Sequence, residues 1–139
     1  MKSQKSVFVF FIWLLICSGL VSCDPYGGFV YWIDNQSDSS VFVTYHGFYN
    51  DTIVKTKLET NSTIMIGDYS ETGGVYDKGD EFLSDFFDTI SIQIDTSTNE
   101  VIKKDYQKRE MWDYSKETTG LFGKAGRSIY KFRITNKDL

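Results

Sequence analysis

Between Thr89 and Asp95 polar and apolar residues alternate without exception, with Ile90, Ile92 and Ile94 set against Thr89, Ser91 and Gln93. A period of two gathers the three isoleucines on one face of an extended strand, which no helix can do. The same period recurs along most of the chain. Phe29-Val30-Tyr31-Trp32-Ile33 is dense in aromatic and β-branched residues and stops at Asp34-Asn35, a turn signal. Residues 40–46 set Val41, Val43 and Tyr45 against Phe42, Thr44 and His46, and residues 52–58 and 63–66 read as two more strands. Weaker strands fall at 99–104 and 110–114, and residues 128–135 form the last, with Ile129 opposed to Tyr130, Phe132 and Ile134. Residues 81–87 carry Phe82, Leu83, Phe86 and Phe87 and suit a short helix or turn. Seven or eight short strands without a long helical period predict an all-β chain, an antiparallel immunoglobulin-like or Greek-key sandwich. A small closed barrel is the alternative.

The N-terminus follows different rules. Met1-Lys2-Ser3-Gln4-Lys5 is basic, and Val7 to Cys17 is an unbroken apolar run of eleven residues. Such a run is shorter than the ~17–25 residues of a membrane span and suits an export signal. It leads into Leu20-Val21-Ser22-Cys23, which resembles the bacterial lipobox. That pattern implies a signal peptide over residues 1–22, cleavage before Cys23, and a diacylglycerol on the Cys23 thiol. Cys17 leaves with the signal, so Cys23 is the single cysteine of the mature chain. Acylation accounts for an unpaired thiol in an exported protein, and no disulfide or cysteine cluster remains. Residues 23–28, Cys23-Asp24-Pro25-Tyr26-Gly27-Gly28, read as a short lipidated tether with a flexible Pro-Gly-Gly joint. Residues 29–139 read as one domain, as a chain of 139 residues allows.

The formal charge is −4. Lys2 and Lys5 lie in the signal and every acid lies beyond it, so the remainder carries −6. A domain of that sign has no electrostatic footprint for nucleic acid or anionic lipid.

With the lipobox, two further stretches carry a resemblance: the Asn-containing turn Ile33-Asp34-Asn35-Gln36-Ser37 and the aromatic terminal strand Tyr130-Lys131-Phe132-Arg133-Ile134. Together the chain resembles the small immunoglobulin-like lipoproteins of Bacteroidetes envelopes. The resemblance implies a lipid-anchored location in the cell envelope, at the outer membrane, and no assigned activity. Asp51-Thr52-Ile53 and Asp88-Thr89-Ile90 also resemble that phylum's O-glycosylation signal.

Candidates for chemistry are few. His46 is the only histidine, and no Gly-x-Ser-x-Gly elbow accompanies it, so a serine hydrolase has little to work with. From Asp68 to Asp88 seven acids (Asp68, Glu71, Asp77, Asp80, Glu81, Asp85, Asp88) face one base, Lys78. Dense carboxylates suit calcium, with Asp77, Asp80 and Glu81 as candidate ligands, although their spacing matches no calcium loop; the other reading is a solvated acidic loop. Aromatics at turn-like positions, Phe48 and Tyr49 early and Trp112 and Tyr114 late, are candidate ligand contacts, because flat rings offer apolar area with few rotors to freeze. The expected function is therefore a membrane-anchored, non-catalytic binding module for a glycan or protein ligand. The alternative is an assembly component that pairs through strand edges, against which the outward Lys131 and Arg133 of the terminal strand would act by blunting an edge.

Overall fold

The computed structural model describes residues 26–47, 52–95, 100–119 and 125–139. Cys23, the signal segment, Phe48, Tyr49 and Asp51 lie outside them. Eight strands form: β1 (Tyr26–Asn35), β2 (Val41–Gly47), β3 (Val54–Leu58), β4 (Ser62–Thr72), β5 (Phe87–Asp95), β6 (Glu100–Val101), β7 (Trp112–Thr119) and β8 (Ala125–Ile134). They make two four-stranded sheets, β4-β1-β8-β7 and β3-β2-β5-β6. Neither closes on itself, so the fold is a sandwich and the barrel alternative is set aside. All neighbours are antiparallel except β1 and β8, which run parallel from Gly27↔Gly126 to Asn35↔Ile134. The β2–β3 hairpin lies in the opposite sheet to β1 and β4, which pair with each other, a Greek-key type of crossing.

Three elements differ from the reading of the sequence. The first strand starts at Tyr26, so the glycine pair is not a joint. Gly27 pairs with Glu71 on one side and Gly126 on the other, and a Cβ on it would stand 2.0 Å from the Gly74 carbonyl oxygen. Only a residue without a side chain lets these backbones meet. β4 continues to Thr72 and β7 to Thr119, through stretches with little apolar character, because each hydrogen-bonds along a strand already fixed in the sheet interior. Finally, β8 lies between β1 and β7 rather than at an edge, so Lys131 and Arg133 do not blunt one.

Between the sheets the core draws Phe29, Tyr31 and Ile33 from β1, Val41 and Val43 from β2, Ile92 from β5, and Tyr130, Phe132 and Ile134 from β8. The crossing from β4 to β5 closes this core with Phe82, Leu83, Phe86 and Phe87, after a short 3-10 turn at Gly79–Glu81. Tyr31 and its cross-strand partner Tyr130 stack at 5.0 Å with planes 9° apart. Phe87 meets Tyr31 edge-on at 5.2 Å, and the Tyr31 hydroxyl donates to the Phe82 carbonyl.

The Asn-containing turn has a structural task. Asn35 is fully buried. Its Nδ2 donates to the carbonyls of Ser39 (2.9 Å), Leu58 (3.2 Å) and Glu59 (3.1 Å), and its Oδ1 accepts from the Ser37 hydroxyl at 2.7 Å. One side chain thereby ties the end of β1 to the β3–β4 turn. Replacing Asn35→Ala deprives the buried Leu58 carbonyl and the buried Ser37 hydroxyl of a partner and should cost about 2–3 kcal/mol, measured as a lower urea midpoint with an unchanged slope.

Candidate functional site

The aromatic candidates separate. Trp112 begins β7 with its ring turned inward; it is 3% exposed, its Nε1 donates to the Tyr106 carbonyl at 2.7 Å, and it packs on Phe82 and Phe132. It is a core residue and not a ligand contact. The 3-10 turn at Arg109–Met111 delivers it into a strand whose odd–even register faces the core, which composition alone does not reveal. Tyr114, two residues on, shares that inward face and lies 5.3 Å from the Tyr130 ring, half-buried. Phe48 and Tyr49 fall outside the described residues.

The acidic segment is not a free carboxylate loop. Lys78 has only 7% of its side chain exposed, lies 4.9 Å from the ring centres of both Phe29 and Phe86, and pairs with Glu71 at 3.1 Å and Asp85 at 2.6 Å. Burial by itself would lower the ammonium's pKa; the hydrogen bonds it donates to Asp85 and Glu71 outweigh that and push it up. Asp77 receives Arg109 through both oxygens, at 2.8 Å from Nε, and Oδ1 also accepts from the Tyr130 hydroxyl at 3.2 Å and from the Gly79 N–H at 3.1 Å. The Arg109 hydrogen bond, above all, holds the Asp77 carboxyl below its usual range. Asp77 is thus committed to a cation, whereas Asp80 and Glu81 are exposed on the 3-10 turn. Among the described residues no group of three His, Cys, Asp or Glu side chains could hold a metal ion, so Asp77, Asp80 and Glu81 are not brought together as a calcium site. The segment is a strap, fastened over the core by two cations.

His46 Nδ1 lies 3.0 Å from an Asp88 oxygen across the β2–β5 pair. Thr89, beside Asp88, is exposed, as is Thr52.

The feature that the sequence reading passed over lies on the other side of β1. Phe29, Tyr31 and Ile33 face the core, so Val30 and Trp32 face outward. On the same outer face Ile129 stands beside Val30, and Lys131 beside Trp32. Two adjoining depressions, of about 480 and 400 Å³, run along this face and share Glu117 and Arg127. The first holds Trp32, Val30 and Ile129, and the second Tyr26 and Gly28. The walls are polar: Arg133 reaches Asp113 at 2.7 Å and Asp34 at 3.8 Å, and Arg127 lies 3.7 Å from Asp68. A signal was present, since a strand apolar on both faces requires something to cover the second. Phe29-Val30-Tyr31-Trp32-Ile33 is such a strand.

No family model matches the chain, and no match is found among curated proteins or solved structures. Among the described residues no helix is long and apolar enough to cross a membrane.

The two strap pairs give a pH signature. Asp77 is depressed from 3.8, so its contribution is present above that value and lost as pH falls through its lower, folded value. Lys78 is raised from 10.5, so its contribution is present below that value and lost as pH rises through its higher, folded value. Asp77→Asn should lower the melting temperature by a few degrees at neutral pH, and the difference from the parent protein should shrink below about pH 4. Thermal melts across pH would check both limbs.

Proposed function

We propose that the protein is a lipid-anchored component of the bacterial envelope, at the outer membrane, whose domain is a non-catalytic binding module presenting the outer face of the β4-β1-β8-β7 sheet. The observation that carries the reading is Trp32. A half-buried indole on an outward sheet face, with the partly exposed Ile129 in the same depression, is apolar surface with no covering element among the described residues; Val30, which also lines the depression, is buried. Contiguous apolar surface rimmed by polar groups is the usual mark of an interaction site. Trp112, a core residue, is no part of this face.

Strand-edge pairing is the weaker alternative. β3 carries exposed Lys55 and Lys57, β6 has two residues, and β4 bulges where Tyr31↔Gly67 gives way to Trp32↔Met65. Each of these devices discourages edge pairing.

Support for the anchor comes from the lipobox and from reach. Tyr26 lies three positions after Cys23, at most about 10 Å of extended chain, so a lipid on Cys23 would hold the start of β1 close to the bilayer. Two or three acyl chains, at about 0.8 kcal/mol per buried methylene, give effectively permanent attachment, while the net charge offers no attraction to anionic head groups. Cys23→Ser should abolish lipidation and leave a slower-migrating precursor that keeps its signal. Detergent partitioning with mass spectrometry of the N-terminal peptide checks this; an unmodified Cys23 in native, membrane-extracted protein would refute the anchor.

A further inference from the structure

The geometry points to a neutral, extended oligosaccharide as the occupant of the outer trough, lying along β1 with the Trp32 and Tyr26 rings as its two end platforms. This inference rests on the reading of that face as a binding surface, and adds the chemistry of what it binds.

The shape is the first argument. Tyr26, Gly28, Val30 and Trp32 alternate along one strand and therefore share one face. Six residues at the rise of a strand place the two rings about 20 Å apart. The two depressions that contain them meet at Arg127 and Glu117, cross-strand partners that line both. Between the rings Gly28 is buried, and its missing side chain lets Arg127 lie close across it, with Cγ 3.3 Å from where a Cβ would stand. Two shallow depressions in a row, each with a ring, fit a chain of linked rings better than a single small molecule, which needs an enclosing cavity.

Charge is the second. Arg127 is set against Asp68 and Glu117, and Arg133 against Asp34 and Asp113. Positive and negative groups alternate along the walls, so neither a polyanion nor a basic peptide meets a complementary field. Asp34 apart, the paired side chains are solvent-exposed and keep spare donors and acceptors, which suits hydroxyl groups that both give and accept hydrogen bonds. A protein partner lying flat on the face would have to desolvate all of these pairs at once, at a cost their mutual attraction does not reliably offset. A sugar chain leaves much of them wet. Its C–H faces cover aromatic rings, and Tyr26 at 58% exposure and the half-buried Trp32 both present ring surface.

Titration calorimetry of the full lipidated chain in detergent would test the inference, using cellotetraose, laminaritetraose, maltotetraose, mannotetraose and chitotetraose, with glucose and heparin as controls. At least one neutral tetramer should bind in a manner indifferent to added salt, and glucose and heparin should not. Trp32→Ala and Tyr26→Ala should each weaken binding by roughly tenfold with unchanged melting temperature. The Tyr26 variant serves as the second probe should the Trp32 variant fold poorly. Binding of heparin alone, of no tetramer, or undiminished binding in both variants would overturn the assignment. A photo-crosslinker at Ser115 in living cells separates the two levels. A carbohydrate adduct supports both, and a protein adduct overturns the oligosaccharide while keeping the binding face. The absence of any adduct removes the binding face together with its ligand.

Discussion

Two tyrosine hydroxyls inside the sandwich set the terms for much of the rest. Tyr31 and Tyr130 face each other across the parallel β1·β8 pair and bury nearly all their surface, so burial pushes both phenols up and keeps them neutral donors. A buried hydroxyl without a partner is costly. The strap between β4 and β5 supplies the partners: the Phe82 carbonyl for Tyr31, and the Asp77 carboxylate for Tyr130, whose oxygen in turn accepts the Lys78 N–H. Asp77 then requires a cation, and Arg109 provides it while its second guanidinium nitrogen, Nη1, donates to the Trp112 carbonyl at 2.8 Å. The docking of the strap, the placing of the turn before β7 and the inward rotation of Trp112 are thus successive answers to one hydrogen-bonding demand.

The same strand that supplies Tyr31 supplies Trp32 to the opposite face. β1 is flanked on both sides, so its outward residues stand on a broad, rigid floor rather than at a frayed margin. Side chains on such a strand keep their spacing, which a mobile loop cannot guarantee, and the proposed binding face gains from it.

The architecture was largely legible in the sequence because burial of one face imposes a period of two. Ile92 and the Tyr130, Phe132 and Ile134 series are buried as their alternation implied, and the phenylalanines of residues 81–87 all enter the core. Legibility ended where pairing rather than side-chain pattern makes the strand, in Gly67 to Thr72 and Ser115 to Thr119. It ended also where partners lie far apart along the chain. Asp77 and Arg109 are separated by 32 residues, and a string of acids read locally resembles a loop when its members are already paired through space. Trp112 was misplaced for a similar reason: its neighbours Glu110 and Asp113 are polar, and only the register with β8 decides which way the indole turns. Trp32 was within reach, since its own segment is apolar on both faces.

The central position of β1 also decides how the domain would carry tension. If Cys23 carries the proposed lipid, force arriving through it enters at Tyr26, the first residue of β1, and pulls on that strand. Ten residue pairs to β4 and nine to β8 lie parallel to that pull. They are loaded in shear and resist together, whereas a strand peeled from its end gives up one pair at a time. If the ligand grips Trp32 and its neighbours, the line of tension runs from anchor to cargo within one sheet, and the β3-β2-β5-β6 sheet stays unloaded. A small domain could then hold a taut polymer against the membrane without its core being strained.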